Sequence, residues 1–311
     1  MEINGVEIPK GSNRFIEMDV ARLPSGTLIQ MPIHVFRAKE EGPCILLSGG
    51  LHGDEVNGIE AVRRVVESKM LKKLLKGTVI ALPIINVYGF IHFSRDVPDG
   101  KDVNRSFPGN PEGSLASIVA WQITHHLLPH IDYGIDFHTG GASRTNFPQI
   151  RFAKEDELGQ KVAERFNAPF TLNSGLISGS LRAAAKDLGK SVIVFEGGES
   201  LRLDEKSIMA SIRGIENVLA SEGMIDKKIR FKKSIYMIDS SWVRADASGM
   251  FVFKKTAGQK VKQNEIIGYV HSPYNTYRVK VASPIDGYII GHNNFPLVHK
   301  GDALFHIGMV E

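Results

Sequence analysis

The sequence contains very little cysteine. Cys44 is the single cysteine in 311 residues, so no disulfide can form within the chain. Proteins without disulfides are typical of reducing compartments. The first residues also lack the basic and apolar segments of a secretory leader, and no apolar run is long enough to span a bilayer. We therefore expect a cytoplasmic protein without a membrane partner.

A strong excess of either charge is also absent. The chain has 38 Lys and Arg against 34 Asp and Glu, which gives a formal net charge of +4. The lysines are dispersed, and the densest basic groups, at residues 72–76 and 227–233, match no nucleic-acid-binding motif. We expect no nucleic-acid partner, whereas the slight positive balance suits an anionic small molecule.

Two patterns of composition divide the chain. Up to residue 230, short apolar strands alternate with segments whose apolar residues recur at helical spacing. This alternation predicts an α/β domain over residues 1–230, with a mostly parallel or mixed sheet and helices on both faces. Over residues 231–311, short β-type segments are separated by Gly, Pro and Asn, which predicts a small all-β domain.

The first candidate site lies between Ser48 and Gly58. Two glycines separate the preceding apolar strand from His52 and Glu55. A spacing of three residues places both side chains on one face of a helical turn, where they can hold a divalent metal such as zinc. Taken alone, this pattern is more often a glycine-rich strand-to-helix turn with an acidic residue near the helix N-terminus.

Two later strands also end in residues that can serve a metal site. The sites of open α/β sheets lie beyond the carboxyl ends of the strands, and His138 and Glu196 each end a predicted strand. With His52 and Glu55, His138 completes a two-His, one-Glu zinc set that leaves a position for water, which predicts about one Zn²⁺ per chain. Glu196 is then the carboxylate that takes a proton from that water. Singly, His138 could be a core histidine and Glu196 a helix-capping acid, but the combination favours the metal site.

A long loop at residues 87–113 supplies positive charge. The neighbouring Asn104 and Arg105 suit a two-pronged grip on a carboxylate. Arg95, in the same loop, can stabilise the oxyanion of an attacked carbonyl, although a surface salt bridge is an equally good interpretation. Arg144, after the His138 strand, is a further candidate for binding an anion.

Four motifs follow one another in a specific order: His52-Gly-Asp-Glu55, Asp102-x-Asn104-Arg105, Asp136-Phe-His138-Thr-Gly and Phe195-Glu196-Gly-Gly198. Together they resemble the succinylglutamate desuccinylase/aspartoacylase family, a branch of the zinc carboxypeptidase-like metallohydrolases, over nearly the whole chain. The resemblance implies a zinc ion on His52, Glu55 and His138 and a general base at Glu196. It also implies carboxylate binding by Asn104 and Arg105, and an oxyanion-side role for Arg95.

The C-terminal region resembles a biotinyl/lipoyl-type barrel-sandwich. The resemblance rests on residues 258–268, 282–287 and 298–304. Such domains carry their modified lysine in a tight hairpin turn, but the turn candidate here, residues 272–276, contains no lysine. We therefore expect a structural lid or wall instead of a swinging arm.

These features predict a zinc-dependent amidohydrolase that removes the acyl group from a small N-acylated amino acid or amine. Two alternatives remain open at this point: a carboxypeptidase acting on short peptides, and a non-catalytic carrier or binding module. The identity of the acyl group and of the amine depends on loop side chains that the sequence does not place. A homo-oligomer also remains open.

Overall fold

The computed structural model of the chain describes residues 1–310, and strands alternate with helices up to residue 221. The strands of this part are β1 (Glu2–Ile3), β2 (Val6–Glu7), β3 (Ser12–Arg22), β4 (Leu28–Arg37), β5 (Glu40–Gly49), β6 (Lys76–Leu82), β7 (Tyr133–Gly140), β8 (Arg144–Phe152), β9 (Phe170–Asn173) and β10 (Ser191–Glu199). The helices are α1 (Val56–Glu67), α2 (Val87–Ile91), α3 (Leu115–His126), α4 (Glu157–Phe166), α5 (Leu181–Asp187) and α6 (Glu205–Ser221).

The centre of the main sheet is parallel. Its strands lie in the order β10, β7, β5, β6, and each adjacent pair among them is parallel. Strands β4 and β3 continue the sheet antiparallel beyond β6, and β8 pairs antiparallel with β10 on the other side. The near-continuous apolar runs of β5 and β6 fit strands that are covered on both faces. The predicted α/β fold with a mixed sheet is confirmed.

Helices cover both faces of this sheet, as the sequence predicts. Along β5, Ile45 and Leu47 face one hydrophobic core and Leu46 faces the other, because successive side chains of a strand alternate between its faces. Side chains of α1, α4 and α6 complete the first core, and side chains of α3 and α5 complete the second. No helix within residues 1–310 is both long and apolar enough to cross a membrane.

Two elements differ from the sequence-based expectations. The sequence predicts a long loop between the strand that ends at His138 and a helix over residues 155–166, but this segment contains strand β8. Apolar residues at helical spacing predict a helix from Val56 to Leu75, but α1 ends at Glu67, and Ser68 is extended at the C-cap. A short 3₁₀ turn at Leu71–Lys73 follows before β6.

Among the described residues, the C-terminal region forms short strands, namely β11 (Ile235–Met237), β12 (Asp239–Arg244), β13 (Gly249–Phe253), β14 (Lys260–Val261), β15 (Ile266–His271), β16 (Arg278–Ala282), β17 (Gly287–Asn293), β18 (Leu297–Val298) and β19 (Ala303–Met309). Strands β16, β15, β13 and β18 form a separate four-stranded sheet. A cluster of apolar residues that includes Phe251, Ile267 and Phe305 forms a core of its own.

The same region also extends the main sheet. Strand β17 pairs antiparallel with β8, and β19 and β12 follow it in turn. Strand β11 pairs parallel with β9. The prediction that this region is rich in β-strands is thus confirmed. The domain division at residue 230 stays a prediction.

Candidate active site

Three buried side chains converge where the central strands end. His52 follows β5, Glu55 is the residue before α1, and His138 lies in β7. The Glu55 carboxylate lies between the two rings, with Oε1 2.8 Å from His52 Nδ1 and Oε2 2.8 Å from His138 Nδ1. The two Nδ1 atoms are 3.2 Å apart, so all three side chains face one point.

Close packing of glycines brings these residues together. A Cβ at Gly58 would lie 2.5 Å from the Phe137 carbonyl oxygen, so only a glycine lets α1 approach β7 this closely. A Cβ at Gly49 would similarly lie 2.8 Å from the Gly58 backbone. Because α1 rests directly on the strand ends, Glu55 at its start reaches His138.

A buried carboxylate orients the His138 ring. Asp136 lies two residues earlier on β7, so its side chain shares the face of His138. Its Oδ2 is 2.6 Å from His138 Nε2, and its Oδ1 accepts a hydrogen bond of 2.7 Å from Ser48 Oγ. A carboxylate that holds the far nitrogen of a histidine is the usual support of a metal ligand, since it directs the other nitrogen at the metal.

The electrostatics of the cluster favour a bound cation. Burial opposes protonation of His138, but the carboxylates of Asp136 and Glu55 outweigh burial and raise its pKa well above the usual value. Burial likewise opposes ionisation of Glu55, but His52 and His138 outweigh burial and hold its pKa far below the usual value. Two imidazole nitrogens and a carboxylate within 4.8 Å of one another, all buried, fit the donor set of Zn²⁺.

Arg95 lies against this cluster. Its Nη2 donates a hydrogen bond of 2.8 Å to Asp102 Oδ2, and its Nη1 is 3.1 Å from His52 Nδ1 and 3.4 Å from Glu55 Oε1. Asp102 also lies 3.3 Å from His52 Nε2, through Oδ1. The structure therefore brings Arg95 next to the candidate metal ligands.

Asn104 and Arg105 follow Asp102 in a short 3₁₀ turn. The Asn104 backbone N–H donates a hydrogen bond of 2.7 Å to Asp102 Oδ1. The Asn104 side chain accepts a bond of 3.0 Å from the Leu181 N–H, which fixes it to the start of α5. Arg105 Nη1 donates to the Asn104 carbonyl at 2.7 Å. This contact uses one of its five N–H groups, and the guanidinium keeps others for a ligand.

Glu196 projects from β10 into the same space, and 16% of its side chain is exposed. Its Oε2 accepts a hydrogen bond of 2.8 Å from Asn146 Nδ2. The other oxygen, Oε1, lies 3.8 Å from the nearest guanidinium nitrogen of Arg151. Glu196 lies opposite His138 in the ladder between β10 and β7, but no hydrogen bond or ion pair among the described residues joins it to the His–Glu–His cluster.

All eight residues singled out from the sequence line one cleft of about 440 Å³. They are His52, Glu55, Arg95, Asn104, Arg105, His138, Arg144 and Glu196. The structure thus brings together residues that are up to 144 positions apart, between His52 and Glu196.

The cleft is also lined by Arg151 and Arg182, which the sequence did not indicate. Burial, and the neighbouring charge of Arg151, lower the pKa of Arg182 to about 10. Arg182 Nη1 donates a hydrogen bond of 2.8 Å to Ser174 Oγ, whereas the Nε atoms of both arginines are buried without a partner among the described residues. Two partly buried guanidinium groups, of which only Arg151 has a carboxylate of residues 1–310 within 4 Å, favour a negatively charged ligand.

An aromatic wall from the C-terminal region closes one side. The Trp242 and His306 rings stack with their centroids 4.3 Å apart and their planes at 2°. The Arg144 guanidinium carbon lies 5.7 Å from the centre of the Trp242 ring, a cation–π contact. No sequence motif marks either aromatic residue, because only the pairing of β12 with β19 places them side by side.

The protein is thus an α/β protein whose candidate metal centre lies at the carboxyl ends of the strands of its sheet. The family model of the succinylglutamate desuccinylase/aspartoacylase catalytic domain matches residues 41–221, more than half of the chain. The chain belongs to this family. The recognition made from the sequence motifs is confirmed.

Individual relatives cover almost the whole chain. The N-alpha-acetyl-L-2,4-diaminobutyric acid deacetylase of Halomonas elongata is 28% identical over 298 residues, which are 91% of this chain and 86% of the relative. A crystal structure of a succinylglutamate desuccinylase/aspartoacylase from Rhodobacter sphaeroides superposes with a TM-score of 0.87 at 25% identity, covering 98% of this chain and 99% of that one. The product-bound ectoine utilization protein of Ruegeria pomeroyi has the same fold, with a TM-score of 0.85 at 23% identity over 96% of this chain and 94% of that one.

Proposed function

We propose that this chain is a zinc-dependent hydrolase that cleaves the amide bond of a small N-acylated amino acid or amine. The observation that carries the proposal is the single cleft that holds both the His–Glu–His cluster and the separate carboxylate of Glu196. The names of the relatives, a deacetylase and a desuccinylase/aspartoacylase, support the same class of reaction.

His52, Glu55 and His138 would hold the Zn²⁺, which supplies a Lewis acid and lowers the pKa of a bound water. Glu196 accepts the proton of the attacking water on a carboxylate oxygen and later gives it to the nitrogen of the departing amine. Arg95, fixed by Asp102, places its guanidinium beside the cluster, where negative charge develops on the attacked carbonyl oxygen.

The remaining arginines support a negatively charged substrate. Asn104 and Arg105 grip a carboxylate from one side of the cleft, and Arg144, Arg151 and Arg182 add positive charge from the other elements. We therefore propose a substrate that carries at least one carboxylate. A volume of about 440 Å³ is in the range of small-molecule sites.

We further propose that residues 231–311 form a lipoyl/biotinyl-like domain that serves as a wall of the cleft. Trp242 and His306 line the cleft from this region, and such a wall excludes the continuing chain of a long peptide. This argues against long peptides as substrates, and the carboxypeptidase acting on short peptides remains the alternative. The proposal includes a cytoplasmic location, which the single cysteine supports.

A substrate panel tests the proposal directly. The purified protein is incubated with N-acetyl-aspartate, N-succinylglutamate, N-acetyl-2,4-diaminobutyrate and unmodified dipeptides, and the released amine is quantified. We expect amine release from at least one N-acyl amino acid, its loss after chelation and its return with zinc. Faster cleavage of dipeptides would favour the carboxypeptidase, and no release from any compound would favour a binding module.

Arg105→Ala tests the anion grip. Hydrogen bonds to charged groups contribute about 1.5–3 kcal/mol, so we expect KM for a carboxylate-bearing substrate to rise roughly 10–100-fold. The change in kcat should be smaller, because the reacting groups stay in place. Arg14→Ala, which removes an exposed arginine of β3, is the matched control. An unchanged KM in Arg105→Ala would make Arg105 a surface residue.

A further inference from the structure

The carboxylate of Glu196 has one hydrogen-bond anchor among the described residues. Asn146 Nδ2 donates to Oε2 at 2.8 Å, whereas Arg151 Nη1, 3.8 Å from Oε1, is too distant for a hydrogen bond. An amide donor suits this task, because an asparagine side chain can orient a carboxylate without competing for its proton. The anchor leaves Oε1 free for proton transfer.

Asn146 lies where three strands meet. In β8 it is opposite Gly198 of β10 on one side and opposite Gly291 of the C-terminal strand β17 on the other. The ladder between β8 and β10 shifts register between Glu196 and Gly198, as in a β-bulge. A bulge re-aims the side chains beside it, and here Asn146 points at Glu196 although the two are not register partners.

Gly291 supplies the space that the Asn146 amide occupies. A Cβ at Gly291 would lie 2.4 Å from Asn146 Oδ1 and 2.9 Å from the Thr145 carbonyl oxygen, and both distances are well inside van der Waals contact. The Asn146 amide therefore packs against bare backbone of β17 on its Oδ1 side. Its Nδ2 side is left facing Glu196.

We infer that Asn146 is a positioning residue for Glu196, and that Gly291 of the C-terminal region holds Asn146 in that role. The inference rests on the proposed function, in which Glu196 transfers the proton. A catalytic group must be held close to its productive geometry, since a misplaced base loses rate without loss of binding. The C-terminal region thus helps to position the candidate base and also forms a wall of the cleft.

Substitution of Asn146 tests the first half of the inference. Asn146→Ala removes the donor, and Asn146→Asp keeps the size but places a second carboxylate against Glu196. We expect kcat to fall roughly 10–100-fold in both variants, because a hydrogen bond to a charged group is lost. KM and zinc content should change by no more than about twofold, since neither the anion grip nor the metal ligands are touched.

A double-mutant cycle separates positioning from general damage. If Asn146 acts through Glu196, Asn146→Ala should lower kcat by no more than about twofold further in a Glu196→Gln background. A structural defect would lower the residual activity of Glu196→Gln by the same factor as that of the wild type. Additive losses would overturn the inference.

Gly291→Ala tests the second half of the inference, that Gly291 holds Asn146 in place. The kcat of this variant should fall, as that of Asn146→Ala should. The matched control is Asn294→Ala, which removes another contact between the C-terminal region and β8, from Asn294 Nδ2 to Thr145 Oγ1 at 2.8 Å. This contact does not touch Glu196, so kcat should be unchanged. A normal kcat in Gly291→Ala would overturn this half of the inference. If Gly291→Ala does not fold, the double variant Gly291→Ala/Asn146→Ala replaces it, because the clash with Oδ1 is then absent. Its kcat should equal that of Asn146→Ala, and a further loss would overturn this half.

The outcomes distinguish this inference from the proposed function. Normal kcat in both Asn146 variants, together with a collapsed kcat in Glu196→Gln, would overturn the inference and leave the proposed function standing. Normal kcat in Glu196→Gln would overturn both, because Asn146 would then have no base to position.

Discussion

Glu196→Gln should abolish most turnover while zinc and substrate still bind. The glutamine keeps the size of the side chain but cannot accept a proton at neutral pH. General-base catalysis typically contributes about 10²–10⁴-fold, so a loss of kcat in that range is expected. Zinc should stay bound, because no hydrogen bond or ion pair among the described residues joins Glu196 to His52, Glu55 or His138. Steady-state kinetics and elemental analysis of the same preparation measure both quantities.

Glu199→Gln is the matched control for this experiment. Glu199 ends the same strand, but its carboxylate is ion-paired with Arg202 at 3.3 Å and does not line the cleft. We expect near-normal kcat for this variant. Loss of zinc together with activity in Glu196→Gln would make Glu196 a ligand or a support of the metal. A collapse in Glu199→Gln alone would transfer the role of base to Glu199.

The second large effect concerns the metal. The wild-type protein should contain about one zinc ion per chain, and His52→Ala and His138→Ala should each lose most of it. Either substitution removes one of the buried nitrogens that converge on Glu55, 2.8 Å from its carboxylate oxygens. Because a ligand that binds only the folded state stabilises it, chelation should also lower Tm of the wild type but not of these variants.

His125→Ala is the control for the metal experiment, since His125 is an exposed histidine of α3 and stacks on Trp121 away from the cleft. Its zinc content should equal that of the wild type. Asp136→Asn should weaken zinc binding by about 10–100-fold without abolishing it, because Asp136 orients His138 but offers the metal no ligand. Unchanged zinc in His52→Ala would remove His52 from the site.

The sequence was most informative where a buried parallel strand ends. The run Cys44–Leu47 is typical of a strand covered on both faces, and the two glycines after it mark the turn that leads to His52. The strand before His138 has the same character. Because parallel strands end on one side of a sheet, order along the chain was enough to predict that these side chains meet.

The sequence was least informative at β8. Polar residues occupy its first half, its ladder with β10 contains a bulge, and no regular alternation identifies it as a strand. Asn146 and Arg151 both lie on β8, so the contacts of Glu196 could not be predicted. Arg182 was hidden for a different reason, since nothing in the sequence of α5 shows that it is buried beside another arginine.

Strand β8 has one further consequence for the chain. Its second half is bordered by β9, with Gln149 opposite Phe170, and its first half is bordered by β17, with Asn146 opposite Gly291. Neither neighbour alone spans β8. A chain that ended before β17 would expose unpaired N–H and C=O groups at the rim of the cleft, and such an edge is a template for strand pairing between molecules. The C-terminal strands therefore also cover an edge that would otherwise be open to strand pairing between molecules.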